Sequence, residues 1–455
     1  MKNYKNIITA FLLVLSISSC KKQLEIDPKQ NIDANIALNT TADVQNALTG
    51  AYTLLATGDL YGTNLVFLPD LYASDDYINW RGSFSTYRNI SSKAIVSNNA
   101  DVTRTWVTAY NAINTANIVL SSLNVVTDAG IKDVIEGKAL FIRGITHFEL
   151  VRLYALPFDA STTNSNLGVP IITTAVKTID NITNTVARNT VNEVYIAVEN
   201  DLKLAITKLA AVDDQYAAKA FLARVYLQEG KYNLARDIAN DIIVNSPYRL
   251  ITNSLEAPFR TKNSSEGIFE IRQNEQSNAG TSNDGLATFY ASYQNSTGGN
   301  VGRADALVST TFYNSFETGD RRQTDMIYNG TGARTGLFTK KWYSFYDNIP
   351  VCRITEQYLI RAECNFRLGS NIGASPVSDI NTLRTRAGLG NVVPTLAIIL
   401  NEREKELDFE GFRLHDYKRT KRSIGTFAYN DPKLVFPIPD REININKALI
   451  QNPGY

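Results

Sequence analysis

Apolar residues recur at helical spacing in several stretches of this chain, and the spacing is lost between them. Val44, Ala47, Leu48, Ala51 and Leu55 fall on one face, which predicts a first helix with Thr41 as its cap. Val102, Trp106, Ala109, Ile113, Ala116, Leu120 and Leu123 make a second stripe over 102–123. Ala139, Ile142, Ile145, Phe148 and Leu153 make a third over 131–155, which Pro157 closes. A fourth helix is expected over 191–209, and helices return at 355–368, 378–387 and 396–409. Residues 58–100, 156–189 and 248–350 and the tail from Tyr429 carry Gly, Asn, Ser and Asp without a helical period, which is loop chemistry. A short apolar stretch, Val169–Ile172, and short extended runs such as Gly267–Ile271 interrupt them.

The pair of predicted helices at 216–229 and 233–244 has a particular pattern. Leu222, Ala223, Tyr226, Gly230, Tyr232, Ala235, Ala239 and Pro247 stand at the spacing of a tetratricopeptide repeat. Small residues let two antiparallel helices approach, Gly230 makes the turn and Pro247 stops the second helix. One such hairpin cannot bury its face alone, so the neighbouring helices must stack on it. The fold class expected is mainly α: a scaffold of helical hairpins with an irregular, loop-rich portion.

The first residues change the picture of where the protein sits. Lys2 and Lys5 precede a short apolar run, Ile7 to Ile17, which is too short to span a bilayer and reads as a secretory signal. Ile17-Ser18-Ser19-Cys20 closes it with small residues before a thiol, as a bacterial lipoprotein signal peptidase requires. Residues 1–19 are therefore expected to be a signal peptide, with Cys20 the lipidated first residue of the mature chain. Residues 20–40 would be a tether and 41–455 a single body. Within that body the helical scaffold is expected mainly over 41–57, 102–155, 190–247 and 355–420, and the loop-rich portion over 58–101, 248–350 and 420–455. Two or more acyl chains on one cysteine suffice for stable anchoring at a membrane.

Composition then excludes several functions. With 46 basic and 45 acidic residues the net charge is +1, so there is no electrostatic case for nucleic acid. Two histidines, His147 and His415, make a His-rich metal site implausible, and no metal or cofactor is expected. Cys352 and Cys364 alone are no disulfide framework and read as buried hydrophobes. The surplus is in rings, with 23 Tyr, 19 Phe and 3 Trp beside abundant Asn and Thr, a mixture suited to a ligand with apolar faces and many hydroxyls.

Three clusters carry that chemistry. Asp75, Asp76, Tyr77, Asn79, Trp80 and Arg81 put rings, carboxylates, an amide and a guanidinium in one loop segment, with Tyr87 and Arg88 just downstream. Phe289, Tyr290, Tyr293, Gln294 and Asn295 before Gly298-Gly299 form a second, and Trp342, Tyr343 and Tyr346 a third. The ligand-contacting residues expected are Asp75, Asp76, Tyr77, Asn79, Trp80, Arg81, Tyr290, Tyr293 and Trp342. Catalysis is not expected. Adjacent Asp75 and Asp76 point apart, and no Gly-x-Ser-x-Gly, P-loop or His-Glu-x-x-His occurs. The run Glu402 to Glu406 is read as a solvated helix face with i,i+4 pairs, although Arg403, Glu410 and Arg413 are candidates for an internal ion network.

In their order along the chain, several motifs resemble the SusD/RagB outer-membrane lipoproteins of Bacteroidota. Cys20-Lys21-Lys22 with Leu24-Glu25-Ile26-Asp27-Pro28 is similar to the family's mature start, and Trp106, Tyr110, Ile113, Ala116 and Asn117 to its early helix. Ala139 to Gly144 with Leu150-Val151-Arg152-Leu153-Tyr154 resembles its next helix, although Arg143-Gly144 stands where the family has Arg-Ala, a departure expected to loosen that helix. Phe312-Tyr313, Phe316 and Gly319-Asp320-Arg321-Arg322 resemble the segment before the returning helices. Ile354 to Glu363, Leu383 to Gly388 and Glu402 to Asp416 resemble those helices, and Phe436-Pro437-Ile438-Pro439 with Gln451 to Tyr455 the close. The resemblance implies a SusD-like helical fold and a surface-exposed, lipid-anchored outer-membrane protein. It implies capture of oligo- or polysaccharide, delivered to a SusC-like TonB-dependent transporter. The alternatives are a peptide ligand, as in the RagB branch, a glycoside hydrolase, or a repeat scaffold for protein assembly only.

Overall fold

The computed structural model describes residues 38–161, 165–177, 186–280 and 284–455. The expected signal peptide, Cys20 and most of the expected tether lie outside the described residues. The first helix, α1 (Thr41–Leu55), is capped by Thr40, one residue before the position expected: the Asp43 amide donates to Thr40 Oγ1 at 3.2 Å, and the Thr40 amide to Asp43 Oδ2 at 2.9 Å. Its buried residues are Val44, Leu48, Ala51 and Leu55, the predicted stripe.

The segment 58–100 is not all loop. It holds α2 (Asn64–Tyr72), β1 (Ile78–Trp80) and α3 (Ser85–Ser91). Every residue of α2 is buried, so it shows no amphipathic period, and Pro69 inside it argues against a helix on sequence grounds. The long helices α4 (Ala100–Ser121), α5 (Ala129–Tyr154) and α6 (Val191–Lys208) follow, then the predicted pair α7 (Gln215–Glu229) and α8 (Tyr232–Asn245). Gly230 turns between them at φ +73°, in the left-handed region. α5 runs unbroken through Arg143-Gly144, contrary to the loosening expected there. A Cβ on Gly144 would lie 3.2 Å from Asp201 Cβ and one on Gly137 only 2.6 Å from Leu209 Cγ, so these glycines let the next helix approach. Arg143 Nη2 then pairs with Asp201 at 2.6 Å.

The loop-rich middle contains α9 (Ala257–Arg260), β2 (Gly267–Ile271), α10 (Leu286–Tyr290), β3 (Tyr293–Gln294), β4 (Asn300–Val301), β5 (Ala306–Val308), α11 (Thr310–Tyr313), α12 (Arg321–Met326), β6 (Ile327–Asn329), β7 (Leu337–Thr339) and β8 (Ile349–Arg353). The strands pair antiparallel as β1 with β5, β2 with β8, β3 with β4 and β6 with β7. Helix returns as α13 (Ile354–Leu368), α14 (Pro376–Arg386), α15 (Leu396–Glu406), α16 (Arg413–Arg419) and α17 (Asp440–Ile445). Neighbouring helices pack in the order α1, α4, α5, α6, α7, α8, α13, with α14 and α15 on α13, which is the stack of hairpins the sequence called for.

One cluster of buried apolar residues reaches from Val44 to Leu449. The end of the chain seals it. The Phe436 amide donates to the Leu153 carbonyl at 2.9 Å, and the Phe436 ring stacks on Tyr72 at 5.2 Å. Asn452 Nδ2 donates to the Tyr154 and Phe436 carbonyls at 2.8 and 2.7 Å.

The Glu402–Glu406 run is not a solvated face: Glu402, Arg403, Lys405 and Glu406 are all buried. Glu402 takes Arg384 at 2.6 Å and Arg322 at 2.9 Å, and Arg403 takes Asp416 at 2.8 Å. Arg353 pairs with Glu410 at 2.7 Å and Glu266 at 3.0 Å, and Arg386 reaches Glu266 at 2.6 Å and also bonds Glu406. Burial acts to raise the Glu406 carboxyl, but Arg386, Arg353 and Arg322 outweigh it and bring it down to about 2. This buried network joins α13 to α16 to the loop-rich middle. Cys352 and Cys364 are buried free thiols, as expected, and burial pushes both up to about 12.

Candidate functional site

The three aromatic clusters do converge, but largely inside the core. Tyr77 is 1% exposed; its ring lies parallel to Phe409 at 4.7 Å, and its hydroxyl accepts from the Phe409 amide. Tyr290 is fully buried, edge-on to Phe67 at 5.3 Å and to Phe409 at 5.7 Å. Trp342 is 4% exposed and donates from Nε1 to the Phe409 carbonyl at 2.6 Å. These three expected ligand contacts are therefore core residues. The correction has one cause: Phe67 and Phe409 arrive from distant parts of the chain and cover rings that local sequence leaves open.

The rest of the first cluster stays at the surface. Asp75 is paired with Lys93, and Asp76 occupies a turn at φ +54° with its carbonyl accepting from Ser309 Oγ at 2.5 Å, so both have structural tasks. β1 pairs with β5 in the register Asn79 to Leu307 and Trp80 to Ala306, and the Arg81 amide donates to the Asp305 carbonyl at 2.7 Å. Strand alternation turns Ile78 inward and Asn79 outward. Asn79 and Arg81 are exposed. Trp80 is half-buried: its ring packs on Tyr87 at 5.5 Å and Phe67 at 6.0 Å, and the Gly82 backbone lies so close that a Cβ there would sit 2.2 Å from Trp80 Cζ2. Trp80 is thus the floor of this face rather than a free platform.

The free ring is one that sequence reasoning passed over. Phe84 is 46% exposed, edge-on to Tyr87 at 6.4 Å, with the Arg303 guanidinium 4.5 Å above it. Arg303 is held by Asp305 at 2.6 Å, and Arg334 reaches the same carboxylate at 3.7 Å. Beyond Arg334, whose carbonyl accepts from Ser292 Oγ at 2.6 Å, Tyr293 stacks on Tyr343 at 3.9 Å with both rings half-buried. Asn79, Arg81, Phe84, Arg303 and Arg334 thus lie along one stretch of surface built on β1, β5 and the segment before β7. It offers a ring, an amide and guanidiniums, and Asp305 is already taken up by the cations.

A second concave feature lies elsewhere. An open cavity of about 940 Å³ lies between α1, α5 and β2, lined by Tyr52, Lys138, Phe141, Tyr248 and Phe269 among others. None of the residues expected from the sequence lines it. Tyr52 stands off the buried stripe of α1 and Tyr248 follows Pro247; aromatic residues on the polar side of predicted elements were the available signal.

His147 and His415 are buried and are not part of either feature. Burial above all brings His147 down to about 4, and burial with Arg152 and Lys418 beside it lowers His415, so both rings are neutral. Among the described residues no helix is long and apolar enough to cross a membrane.

A stack of helical hairpins carrying a loop-rich portion with an exposed ring and guanidiniums defines a class of binding protein. The sequence matches two models of one family: residues 24–227 match one described as starch-binding and associating with the outer membrane, and residues 335–434 one described as the SusD family. The chain belongs to the SusD/RagB family. It is 26% identical to SusD-like protein P2 of Formosa agariphila over 100% of both chains, and 32% identical to the starch-binding protein SusD of Bacteroides thetaiotaomicron over 30% of this chain and 29% of that one. A solved putative sugar binding protein from Bacteroides vulgatus superposes with a TM-score of 0.80 at 26% identity, covering 92% of this chain and 99% of that chain.

Proposed function

We propose that this protein is a lipid-anchored outer-membrane protein that captures oligo- or polysaccharide at the cell surface and passes it to a SusC-like TonB-dependent transporter. Cys20 would carry the anchor. Capture is by contact alone, with no bond broken. The observation that carries the ligand site is the pairing of β1 with β5, which brings Asn79, Arg81 and Phe84 to one face with Arg303 and Arg334. Phe84 offers an apolar face to the C–H side of a sugar ring, and Asn79 and the guanidiniums offer partners to its hydroxyls. Starch binding and sugar binding are named for relatives of this chain, which supports a glycan over a peptide.

The test is retention of the full-length protein, in detergent, in native gels cast with neutral polysaccharides, compared with Arg81→Ala and Phe84→Ala. Trp80 is left alone because it fills the floor. Retardation by at least one polysaccharide, lost in both variants, is the expected result. Retardation unchanged in both variants overturns the site. No retardation by any polysaccharide, with binding of peptides instead, overturns the glycan. Sustained release of shorter sugars from the gel matrix overturns capture without catalysis.

A further inference from the structure

We propose that the cavity between α1, α5 and β2 is a second binding site, which takes a short segment of neutral oligosaccharide. The proposal rests on the glycan reading for the class of its ligand, but not on the face where that reading places the ligand. At about 940 Å³ the cavity is at the upper end of sites that enclose a drug-sized molecule, which is room for a few sugar units.

Its walls have the chemistry of a polyol site. Phe141 and Phe269, edge to face at 5.2 Å, supply apolar surface on its helical and strand sides. Tyr52 and Tyr248 line it half-buried, and neither hydroxyl has a hydrogen-bond partner among the described residues. Burial first, and then the charge of Asp214, holds the Tyr52 phenol above its ordinary value; burial with Asp213, Asp214 and Glu270 brings Tyr248 to about 12. Both therefore remain neutral donors, available to sugar hydroxyls. Two carboxylates line it as well: Asp214, which is paired with Lys138, and Glu270, whose Oε1 has no hydrogen-bond partner among the described residues.

The charge pattern of the interior favours a neutral occupant. Lys138 is paired with Asp214 at 3.2 Å and the carboxylates raise the phenols, which disfavours phosphate or sulfate groups beside them, whereas Arg272, exposed at the cavity's edge, has no ion pair among the described residues. The walls mix rings with Thr, Asn and Gln rather than forming the closed apolar pocket that a hydrophobic peptide side chain would fill.

The cavity is distinct from the face around Phe84. Gly58 lines its rim beside Asp284, the Tyr87 hydroxyl donates to Asp284 at 3.2 Å, and Tyr87 lies under Trp80. The two features thus adjoin through one small group of side chains. A sugar chain long enough to touch both would bind with a raised effective concentration at the second contact.

The experiment is isothermal titration of the full-length protein in detergent with maltohexaose, cellohexaose, xylohexaose and laminarihexaose. The variants are Tyr52→Phe with Tyr248→Phe, which removes only two hydroxyls, and Thr53→Trp, which fills the mouth. Phe84→Ala marks the other face, and melting temperature checks folding of each. The expected result is two sites for at least one hexasaccharide. The double Phe variant weakens one site by about tenfold or more, Thr53→Trp abolishes the same site, and Phe84→Ala affects only the other. A single site that is lost in Phe84→Ala and untouched by the cavity variants overturns this proposal and leaves the proposed function standing. A single site lost only in the cavity variants keeps this proposal and overturns the Phe84 face. Absence of heat with all four sugars, in protein that melts normally, overturns both.

Discussion

Lys418 on α16 is buried, and its ammonium nitrogen has no hydrogen-bond partner among the described residues. Burial above all, and then the charge of Arg152, lowers it from 10.5 to about 7. His415 lies close on the same helix and is itself neutral. The unfolded chain therefore holds this proton between pH 7 and 10.5 while the folded chain gives it up. Stability rises with pH across that window, and the full cost of the buried charge is present below about pH 7. At ~1.4 kcal/mol per pH unit the cost is about 5 kcal/mol well below pH 7, about 4 at pH 7 and about 2 at pH 9. Lys418→Met keeps the apolar stem and removes the charge, so it stabilises by those amounts. For a body of about 400 residues, an unfolding entropy of roughly 2.1 cal/mol/K per residue makes 1 kcal/mol equal to about 1 °C. Differential scanning calorimetry of parent and variant at pH 7 and pH 9 should show the variant melting about 4 °C higher at pH 7 and about 2 °C higher at pH 9. A variant that melts at or below the parent at pH 7, or a gap that is equal at both pH values, refutes the reasoning.

Breaking the buried ion network should have the opposite sign. Arg353→Met leaves Glu266 and Glu410 buried beside a lost cation, and should cost about 3–5 kcal/mol, read as a lower melting temperature. Cys352 and Cys364, buried and with thiols held near 12, should resist Ellman's reagent in the native protein at pH 8 and react fully in guanidinium. Rapid labelling of Cys352 in native protein would show that β8 opens locally, and rapid labelling of Cys364 that α13 does.

How much was legible in the chain follows from which interactions are local. α4 buries one face, and α5, although enclosed on all sides from Gly144 to Tyr154, still carries an apolar stripe at helical spacing, so the stripes located both to within two residues at each end. α2 is buried all round and bears Pro69, so neither period nor propensity marked it. The Glu402 to Glu406 run misled because its compensating charges come from far away. Arg322 and Arg384, which neutralise Glu402, stand 80 and 18 residues from it. The same limit applied to the site. Asn79 and Arg81 were legible as polar residues in a loop segment and remain exposed, whereas Tyr77, Tyr290 and Trp342 are covered by Phe409, which no local pattern connects to them. Phe84 was passed over because nothing nearby in sequence shows that Arg303 lies across it.

The strand of chain that carries Phe436 and Asn452 completes a core begun by α2, α4 and α5. A polypeptide made from its first residue onward therefore holds an unsealed oily seam until Phe436 and Asn452 arrive. A chain that stops short of Phe436 leaves Tyr72 and Tyr154 without the ring that packs on both of them.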